Sequence, residues 1–292
     1  IKNMSVVATF ENKEVFLGLF NTVNGIIENL CIKDVLFMAK IVSTSDTAYN
    51  FFAGGLAAKN SKRILINNVS VTGSIDIDTN GYSYAGGLIG YADYGSTTIT
   101  NSYNAGNISG DRAGGLIGYA SGSTTTTITN SYNAGNISGD SYAGGLIGYA
   151  SGSTTTISIT NSYNAGNISG KRAGGLIGYA DYGSTTTITD SYNTGEINAN
   201  TSSSNDSYTG GLIGYADYNS TTTITNSYNT GNISGDRAGG LIGSAYGSTI
   251  TNSYNAGNIS GYYAGGLIGY ADYGSTTTIT NSYNTGNISG DR

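Results

Sequence analysis

Residues 114–139 have the sequence GGLIGYASGSTTTTITNSYNAGNISG, and close copies of this segment fill most of the chain. The string GGLIG occurs seven times, with spacings of 28, 30, 30, 36, 29 and 26 residues. Its copies begin at Gly86, Gly114, Gly144, Gly174, Gly210, Gly239 and Gly265. A period of this length predicts a repeat protein in which each unit buries its apolar side chains against the next unit.

Each repeat also contains two isoleucines that are always nine residues apart. The pairs are Ile99/Ile108, Ile128/Ile137, Ile159/Ile168, Ile188/Ile197, Ile224/Ile233, Ile250/Ile259 and Ile279/Ile288. The length differences between repeats fall after GGLIGYA and after GNISG, which indicates rigid coils joined by surface turns. The N-terminal part shows the same spacing in Ile27/Leu36 and Ile66/Ile75, so we count nine coils, of which two are degenerate.

The composition favours strands over helices. Gly occurs 46 times in 292 residues, and Gly, Asn, Thr and Ser are weak helix formers, whereas Thr, Ile and Tyr favour strands. We therefore predict an all-β fold, a β-solenoid (parallel β-helix) of about nine coils of about 26–37 residues each. We expect residues 1–80 to form degenerate coils that act as a transition or cap, and residues 81–292 to form seven regular coils. The last three residues repeat the GDR of 110–112, so we expect more coils to follow.

The composition argues against several classes of function. The chain has no His, so it can hold no Ser-His-Asp relay and no HExxH zinc site. Residues 81–292 hold five basic and eleven acidic side chains, which speaks against nucleic-acid binding. No run approaches the ~20 apolar residues of a membrane span. We therefore predict no enzymatic activity, no cofactor, no bound metal and no membrane insertion, and we expect Cys31 to be a buried structural thiol.

The alternation of side chains within each coil predicts which of them face the core. The isoleucine pairs and the Leu of each GGLIG should form inward columns. In the two degenerate coils Leu30/Ile32 and Val69/Val71 flank one outward position. In the regular coils this outward position is tyrosine, which predicts a row of exposed rings able to stack on sugars. The row comprises Tyr103, Tyr132, Tyr163, Tyr192, Tyr228, Tyr254 and Tyr283.

A second row lies two residues after the first isoleucine of each coil, where eight coils have Asn and one has Asp. Stacked side-chain amides can hydrogen-bond to their copies along the axis of a parallel stack. We therefore predict a structural ladder at a bend of the coil. Its members are Asn29, Asn68, Asn101, Asn130, Asn161, Asp190, Asn226, Asn252 and Asn281.

The neighbours of the first isoleucine should point outward and form a double row of threonines. Its members include Thr98, Thr100, Thr187, Thr189, Thr223 and Thr225, and Ser158 interrupts it. One interpretation is a solvent-facing strand whose threonines serve β-propensity alone. The other is an ice-binding face, because insect and fish antifreeze solenoids resemble this Thr-x-Thr array.

The order GGLIG followed by ITNSYNTGNISG resembles the GLUG repeat family, over most of residues 54–292 and more loosely over 18–36. The resemblance implies cell-surface proteins of bacteria or archaea, among them large adhesins, and brings no catalytic motif. We therefore expect an extracellular, cell-surface stalk or filament segment that mediates attachment or self-association. Its partners would be glycans, a host or partner cell surface, or sister subunits, and the alternative function is ice binding by the threonine face.

Overall fold

Every strand of the computed structural model pairs in parallel with its copy one coil along the chain, which builds a β-solenoid of about nine coils. The structure describes residues 1–11, 14–42, 50–79, 81–122, 125–152, 154–199, 206–272 and 274–291, without the side chains of 11, 41 and 42. None of these residues is helical, so no helix among them could cross a membrane. The predicted fold class is confirmed.

Each regular coil contains four kinds of strand, which we name by their sequences. The GYA strands are Ile89–Ala92, Ile117–Ser121, Ile147–Ser151, Ile177–Ala180, Ile213–Ala216, Ile242–Ala245 and Ile268–Ala271. The threonine strands are Thr97–Thr100, Thr125–Thr129, Thr156–Thr160, Thr185–Thr189, Thr221–Thr225, Ser248–Thr251 and Thr277–Thr280. The SYN strands are Tyr103–Asn104, Tyr132–Asn133, Tyr163–Asn164, Tyr192–Asn193, Tyr228–Asn229, Tyr254–Asn255 and Tyr283–Asn284.

The fourth kind, the NIS strand, continues into the glycines that begin the next coil. In three coils it is one strand, namely Asn107–Gly114, Ile137–Gly144 and Ile168–Gly174. In later coils it is divided into Ile197–Asn198 and Tyr208–Gly210, Ile233–Ser234 and Arg237–Gly239, and Ile259–Gly261 and Tyr263–Gly265, and the last is Ile288–Gly290. The division begins at the longest joint, between Asn198 and Tyr208, and continues in the coils that follow it.

The N-terminal strands join the same stack. They are Ser5–Glu11, Val15–Leu17, Phe20–Val42, Phe51–Gly54, Ala57–Thr79 and Ser83–Gly86. Ile66 pairs with Ile99, and Ile75 with Ile108, so the second degenerate coil is in register with the first regular one. The role of residues 1–80 as a cap stays a prediction.

Two expectations for the first coil are wrong. A register shift between Ile32 and Val35 brings Phe37, rather than Leu36, opposite Ile75. Phe37 is therefore buried, whereas Leu36 is exposed. The extra residue is accommodated beside Asp34, whose φ of 58° lies in the left-handed region.

Cys31 is also exposed rather than buried. It pairs with Ser70, which pairs in turn with Tyr103, so Cys31 occupies the outward tyrosine column. The apolar sequence around it reflects its two inward neighbours, not the thiol itself.

The core consists of stacked apolar columns. The first and second isoleucines from Ile99 to Ile259 are at most 2% exposed, and the six leucines from Leu88 to Leu241 are 0% exposed. Full burial of each such side chain stabilises the fold by roughly 1.5–3 kcal/mol. In the seventh regular coil Ile279 is 47% and Ile288 is 49% exposed.

The paired glycines before each leucine have a steric role. A Cβ at Gly114 would lie 1.9 Å from the carbonyl oxygen of Ile117, and one at Gly115 would lie 2.0 Å from the carbonyl oxygen of Gly145 in the next coil. No side chain fits either position. The glycines therefore permit the close approach of coils that places the leucine column inside.

Candidate functional site

The tyrosine row lies on the outside of the SYN strands. Its six members from Tyr103 to Tyr254 are half-buried, and Tyr283 is exposed. Successive rings lie 4.8–5.4 Å apart between centroids, and their planes differ by only 1–7°. Partial burial raises the pKa of Tyr132, Tyr163 and Tyr228.

This stacking changes what the row can bind. Each inner ring is covered by a ring above and a ring below, so its faces are largely withdrawn from any ligand. The expectation that these rings stack on sugars is therefore not supported by their geometry. The surface that they present is a line of ring edges and phenol hydroxyl groups.

The threonine face is wider than the sequence suggested. The predicted columns pair in register, with Thr98 opposite Thr127 and Thr187 opposite Thr223. A third outward column precedes them in the four middle coils, formed by Thr125, Thr156, Thr185 and Thr221. The middle of the rod thus carries a three-column array, with coils ~4.8 Å apart and alternate residues ~6.6 Å apart along each strand.

The predicted ladder from Asn29 to Asn281 lies at an exposed bend. All nine members have φ between 47° and 55°, a left-handed conformation that Asn and Asp adopt more readily than most residues. Side-chain hydrogen bonds of 2.7–3.3 Å join Asn68 to Asn29, Asn130 to Asn101, Asn226 to Asp190, Asn252 to Asn226 and Asn281 to Asn252. Because the side chains are in water, the backbone conformation accounts for the residue choice better than the hydrogen bonds do.

A second, buried ladder was missed by the sequence analysis. It is formed by the last residue of each SYN strand, from Asn104 to Asn284. The Nδ2 of Asn133 donates to the Oδ1 of Asn164 at 2.8 Å and to the carbonyl oxygen of Gly135 at 2.6 Å. The same pair of bonds recurs in each regular coil up to Asn255. The sequence did contain a signal for this ladder. The position is apolar in the degenerate coils, as Ile32 and Val71, but it is Asn in all regular coils.

The serine of each SYN segment forms a parallel ladder. The Ser131 hydroxyl donates to the carbonyl oxygen of Thr129 at 2.8 Å and accepts the backbone N–H of Ser102 at 3.1 Å. Both bonds recur from coil to coil. The two polar ladders therefore fix the register of this side of the rod without apolar packing.

A shallow groove of about 510 Å³ runs along the NIS strands. Its two rims are the asparagines and serines on either side of the second isoleucine, including Asn107, Asn136, Ser109 and Ser138. A second part of about 360 Å³ continues beyond Asn198 along the same columns. The Asn136 backbone N–H donates to the Oδ1 of Asn107 at 2.9 Å, so each rim amide is oriented by the next coil. Within the described residues the Nδ2 groups of these asparagines have no protein partner, which leaves a row of donors along the groove.

A cluster of tyrosines and arginines that the sequence analysis did not predict lies just after the variable joints, beside the GYA strands. Counting back two residues from each GGLIG gives one column in which ring and guanidinium alternate: Tyr84, Arg112, Tyr142, Arg172, Tyr208, Arg237 and Tyr263. Beside it runs a column of GYA tyrosines that includes Tyr91, Tyr119, Tyr149, Tyr179 and Tyr215.

The guanidinium groups lie between the rings. The Cζ of Arg172 is 5.2–5.5 Å from the centroids of Tyr142, Tyr179, Tyr208 and Tyr215. Such cation–π contacts contribute ~0.5–1 kcal/mol when exposed and ~2 kcal/mol when desolvated. The Arg112 side chain is only 13% exposed, so this cluster holds the coils together more than it offers a binding site.

Carboxylates complete the cluster. The Tyr149 hydroxyl donates to Asp181 at 2.6 Å, and the Tyr208 hydroxyl donates to Asp206 at 2.7 Å. Burial, reinforced by these hydrogen bonds, raises the pKa of Tyr208 to about 12 and also raises that of Tyr149. Burial raises the pKa of Tyr91 to about 12. These phenols are therefore neutral proton donors throughout the physiological range.

The described residues include no group of three or more His, Cys, Asp or Glu side chains placed to hold a metal ion. Asp76 and Asp78 lie close together in the sequence of the second degenerate coil, but they make different contacts. Asp78 forms an exposed ion pair with Lys40 at 2.6 Å, and Asp76 lines the groove.

A comparison with known families matches the GLUG motif to residues 81–109, 169–198, 205–234, 235–260 and 260–289. The chain contains GLUG repeats. Each matched GLUG segment ends at or near its NIS strand, so the motif corresponds to one coil of the solenoid. Searches of curated proteins and of solved structures found no match to this chain.

Proposed function

We propose that this GLUG-repeat solenoid is a non-enzymatic, extracellular stalk or filament segment that mediates attachment at a cell surface. The observation that carries the proposal is the coil-to-coil pairing of the threonine, SYN and NIS strands, which aligns like residues in outward columns along the regular coils. A ligand that contacts one coil meets the same groups one strand spacing further on. Repeated weak subsites of this kind give high overall avidity without a deep pocket.

The groove along the NIS strands is the surface best suited to the ligand. Its rims carry amide donors and hydroxyl groups, and its lining contains little charge beyond Asp76 and Glu196. These groups suit a neutral, polyhydroxylated polymer such as a linear glycan lying along the rod. The stacked tyrosine row would supply further hydroxyl groups, but not ring faces.

Ice binding is the second candidate, and the three-column threonine array favours it. A flat array with two regular spacings can order water at a surface. We rank ice binding below attachment, because Ser158 interrupts the array and variable turns lie beside it.

One set of variants separates these functions. Ser138→Arg fills the groove, Tyr163→Ser with Tyr192→Ser and Tyr228→Ser removes the ring row, and Thr189→Tyr breaks the threonine array. Binding to a glycan array and to cells should be weakened in the groove variant and retained in the Thr189 variant. Thermal hysteresis that is measurable in the parent protein and lost only in the Thr189 variant would instead establish ice binding.

Binding that is unchanged by Ser138→Arg but lost in the tyrosine variant would move the site to the ring row. No binding by the parent protein to any glycan or cell, together with no thermal hysteresis, would contradict both functions. Thr187→Arg serves as the matched control for the groove variant in the glycan and cell binding assays, because it introduces the same side chain on the threonine array. In the thermal hysteresis assay it should behave like Thr189→Tyr.

A further inference from the structure

A third set of tyrosines, outside both stacked arrays, lies on the turns that follow the GYA strands. Tyr182 is 51% and Tyr218 is 52% exposed, and Tyr246 is half-buried. The rings of Tyr182 and Tyr218 have centroids 6.0 Å apart, and those of Tyr218 and Tyr246 only 4.5 Å apart. These three residues belong to successive coils.

The local backbone explains why these rings meet. Tyr218 follows Asp217 in a turn closed by the Ser220 backbone N–H, which donates to the Asp217 carbonyl oxygen at 3.0 Å. The next coil has a shorter turn, and the Tyr246 backbone N–H donates to the carbonyl oxygen of Ala216 at 3.2 Å. Tyr246 is therefore anchored directly beside the turn that carries Tyr218.

The ring geometry differs from that of the stacked row. Tyr218 and Tyr246 are inclined by 51°, whereas the rings of Tyr228 and Tyr254 in the same two coils differ by 6° at 5.0 Å. Inclined rings on turns can bring their edges together by side-chain rotation. Parallel rings on strands are held apart at the coil spacing. Burial and the neighbouring Tyr218 phenol raise the pKa of Tyr246.

We propose that Tyr218 and Tyr246 form an oxidative cross-linking site, at which a peroxidase-class oxidant and hydrogen peroxide join neighbouring coils through dityrosine. Each phenol loses one electron and one proton, and hydrogen peroxide takes up both electrons and both protons to give two molecules of water. The two phenoxyl radicals form a carbon–carbon bond between the positions ortho to their oxygens. The two ortho hydrogens then move to the oxygens, which restores both hydroxyl groups.

Tyr94 provides an internal control for this site. Tyr94 is 69% exposed on the equivalent turn of an earlier coil, but the following two coils have Gly122 and Gly152 after their GYA strands. Tyr94 is thus as accessible as Tyr218 without having a ring from the next coil beside it. It should be oxidised without forming a cross-link within the chain.

The test uses the whole chain, a haem peroxidase and limiting hydrogen peroxide, followed by denaturation, trypsin and mass spectrometry. Trypsin cleaves after Arg172 and Arg237, so Tyr218 and Tyr246 fall in different peptides, 173–237 and 238–292. Cross-linking joins these peptides with the loss of two hydrogen atoms. We expect the joined peptide at every protein concentration, together with dityrosine fluorescence.

Two phenylalanine variants locate the bond. Tyr246→Phe should reduce the joined peptide to background, because Phe forms no phenoxyl radical. Tyr254→Phe should leave it unchanged, although Tyr254 lies in the same tryptic peptide and stacks on Tyr228. Persistence of the joined peptide in Tyr246→Phe, its loss in Tyr254→Phe, its formation only between separate chains, or its absence from the oxidised parent protein would each overturn the proposal.

Discussion

The Nδ2 of Asn164 donates a hydrogen bond to the Oδ1 of Asn193, one coil further along the rod, at 2.7 Å. The same Nδ2 also donates to the carbonyl oxygen of Gly166 at 2.7 Å. Asn164 is 0% exposed, so no water can replace these bonds if the amide is removed. The interior of this rod therefore depends on amide ladders as well as on isoleucine and leucine.

The buried ladder should be much more sensitive to substitution than the exposed one. Asn164→Ala leaves the amides of Asn133 and Asn193 each without one partner, and each unpaired buried group costs about 1–3 kcal/mol. Asn161→Gly, only three residues away, should be tolerated because glycine adopts the left-handed bend freely. Chemical denaturation and hydrogen exchange of the two variants test this, with exchange expected to quicken mainly in adjacent coils. Equal losses of stability in both variants would contradict the assignment.

A column of buried threonine hydroxyls offers a stabilising substitution. The hydroxyl oxygens of Thr126, Thr186 and Thr222 are buried and have no hydrogen-bond partner among the described residues. Thr186→Val keeps the shape and removes an unpaired polar group, so the free energy of unfolding should rise by about 1 kcal/mol. Ile157 already occupies this column in a neighbouring coil. Thr187→Val, on the outer face of the same strand, is the control and should change stability little. A lower denaturation midpoint for Thr186→Val would show that the hydroxyl has a stabilising role.

The arginines between the tyrosines should not be replaceable by lysine. Arg172→Lys keeps the charge but loses the planar guanidinium that lies among four rings, and we expect a loss of about 1 kcal/mol. Lys171→Arg is the matched control, because Lys171 forms a surface ion pair with Asp206 at 3.3 Å. Thermal unfolding of the two variants measures the difference. A stable Arg172→Lys protein would mean that charge alone suffices at this position.

Stability should fall at alkaline pH. Burial raises the pKa of Tyr91 and Tyr208 to about 12 in the folded chain, whereas an unfolded tyrosine has a pKa of about 10. The unfolded state therefore loses its protons first, and folding stability is full below about pH 10 and declines as pH rises through about 12. Denaturation midpoints measured from pH 8 to pH 12 should show this decline, reduced in Tyr91→Phe and unchanged in Tyr94→Phe. A midpoint independent of pH would refute it.

The fold and its apolar columns could be predicted from the sequence because their spacing is fixed. The nine-residue interval places each isoleucine, and alternation then places the tyrosines outside. Cys31 was placed wrongly because it lies between two apolar, inward residues, although alternation puts its own position outside. Leu36 was placed wrongly because one extra residue beside Asp34 shifts the register in a coil where the repeat pattern is weak. Degenerate spacing gives no means of locating such a shift.

The polar interior was harder to foresee for a different reason. Asn104 and its copies lie at an inward position, but a small polar residue there does not reveal whether its partners lie in the next coil.

The column containing Arg112 and Tyr142 follows the variable joint, and counting forward through a joint of unequal length hides the alignment of these residues. Counting backward from GGLIG places all seven members in one column.

The alternation of Tyr142, Arg172, Tyr208 and Arg237 gives this rod a period of two coils, although its backbone repeats after one. Repetitive genes change length by replication slippage, which adds or removes whole repeats. Gain or loss of one repeat would set two guanidinium groups, or two rings, side by side, whereas a change by two would preserve the order. Length variants of this protein should therefore tolerate even steps better than odd ones.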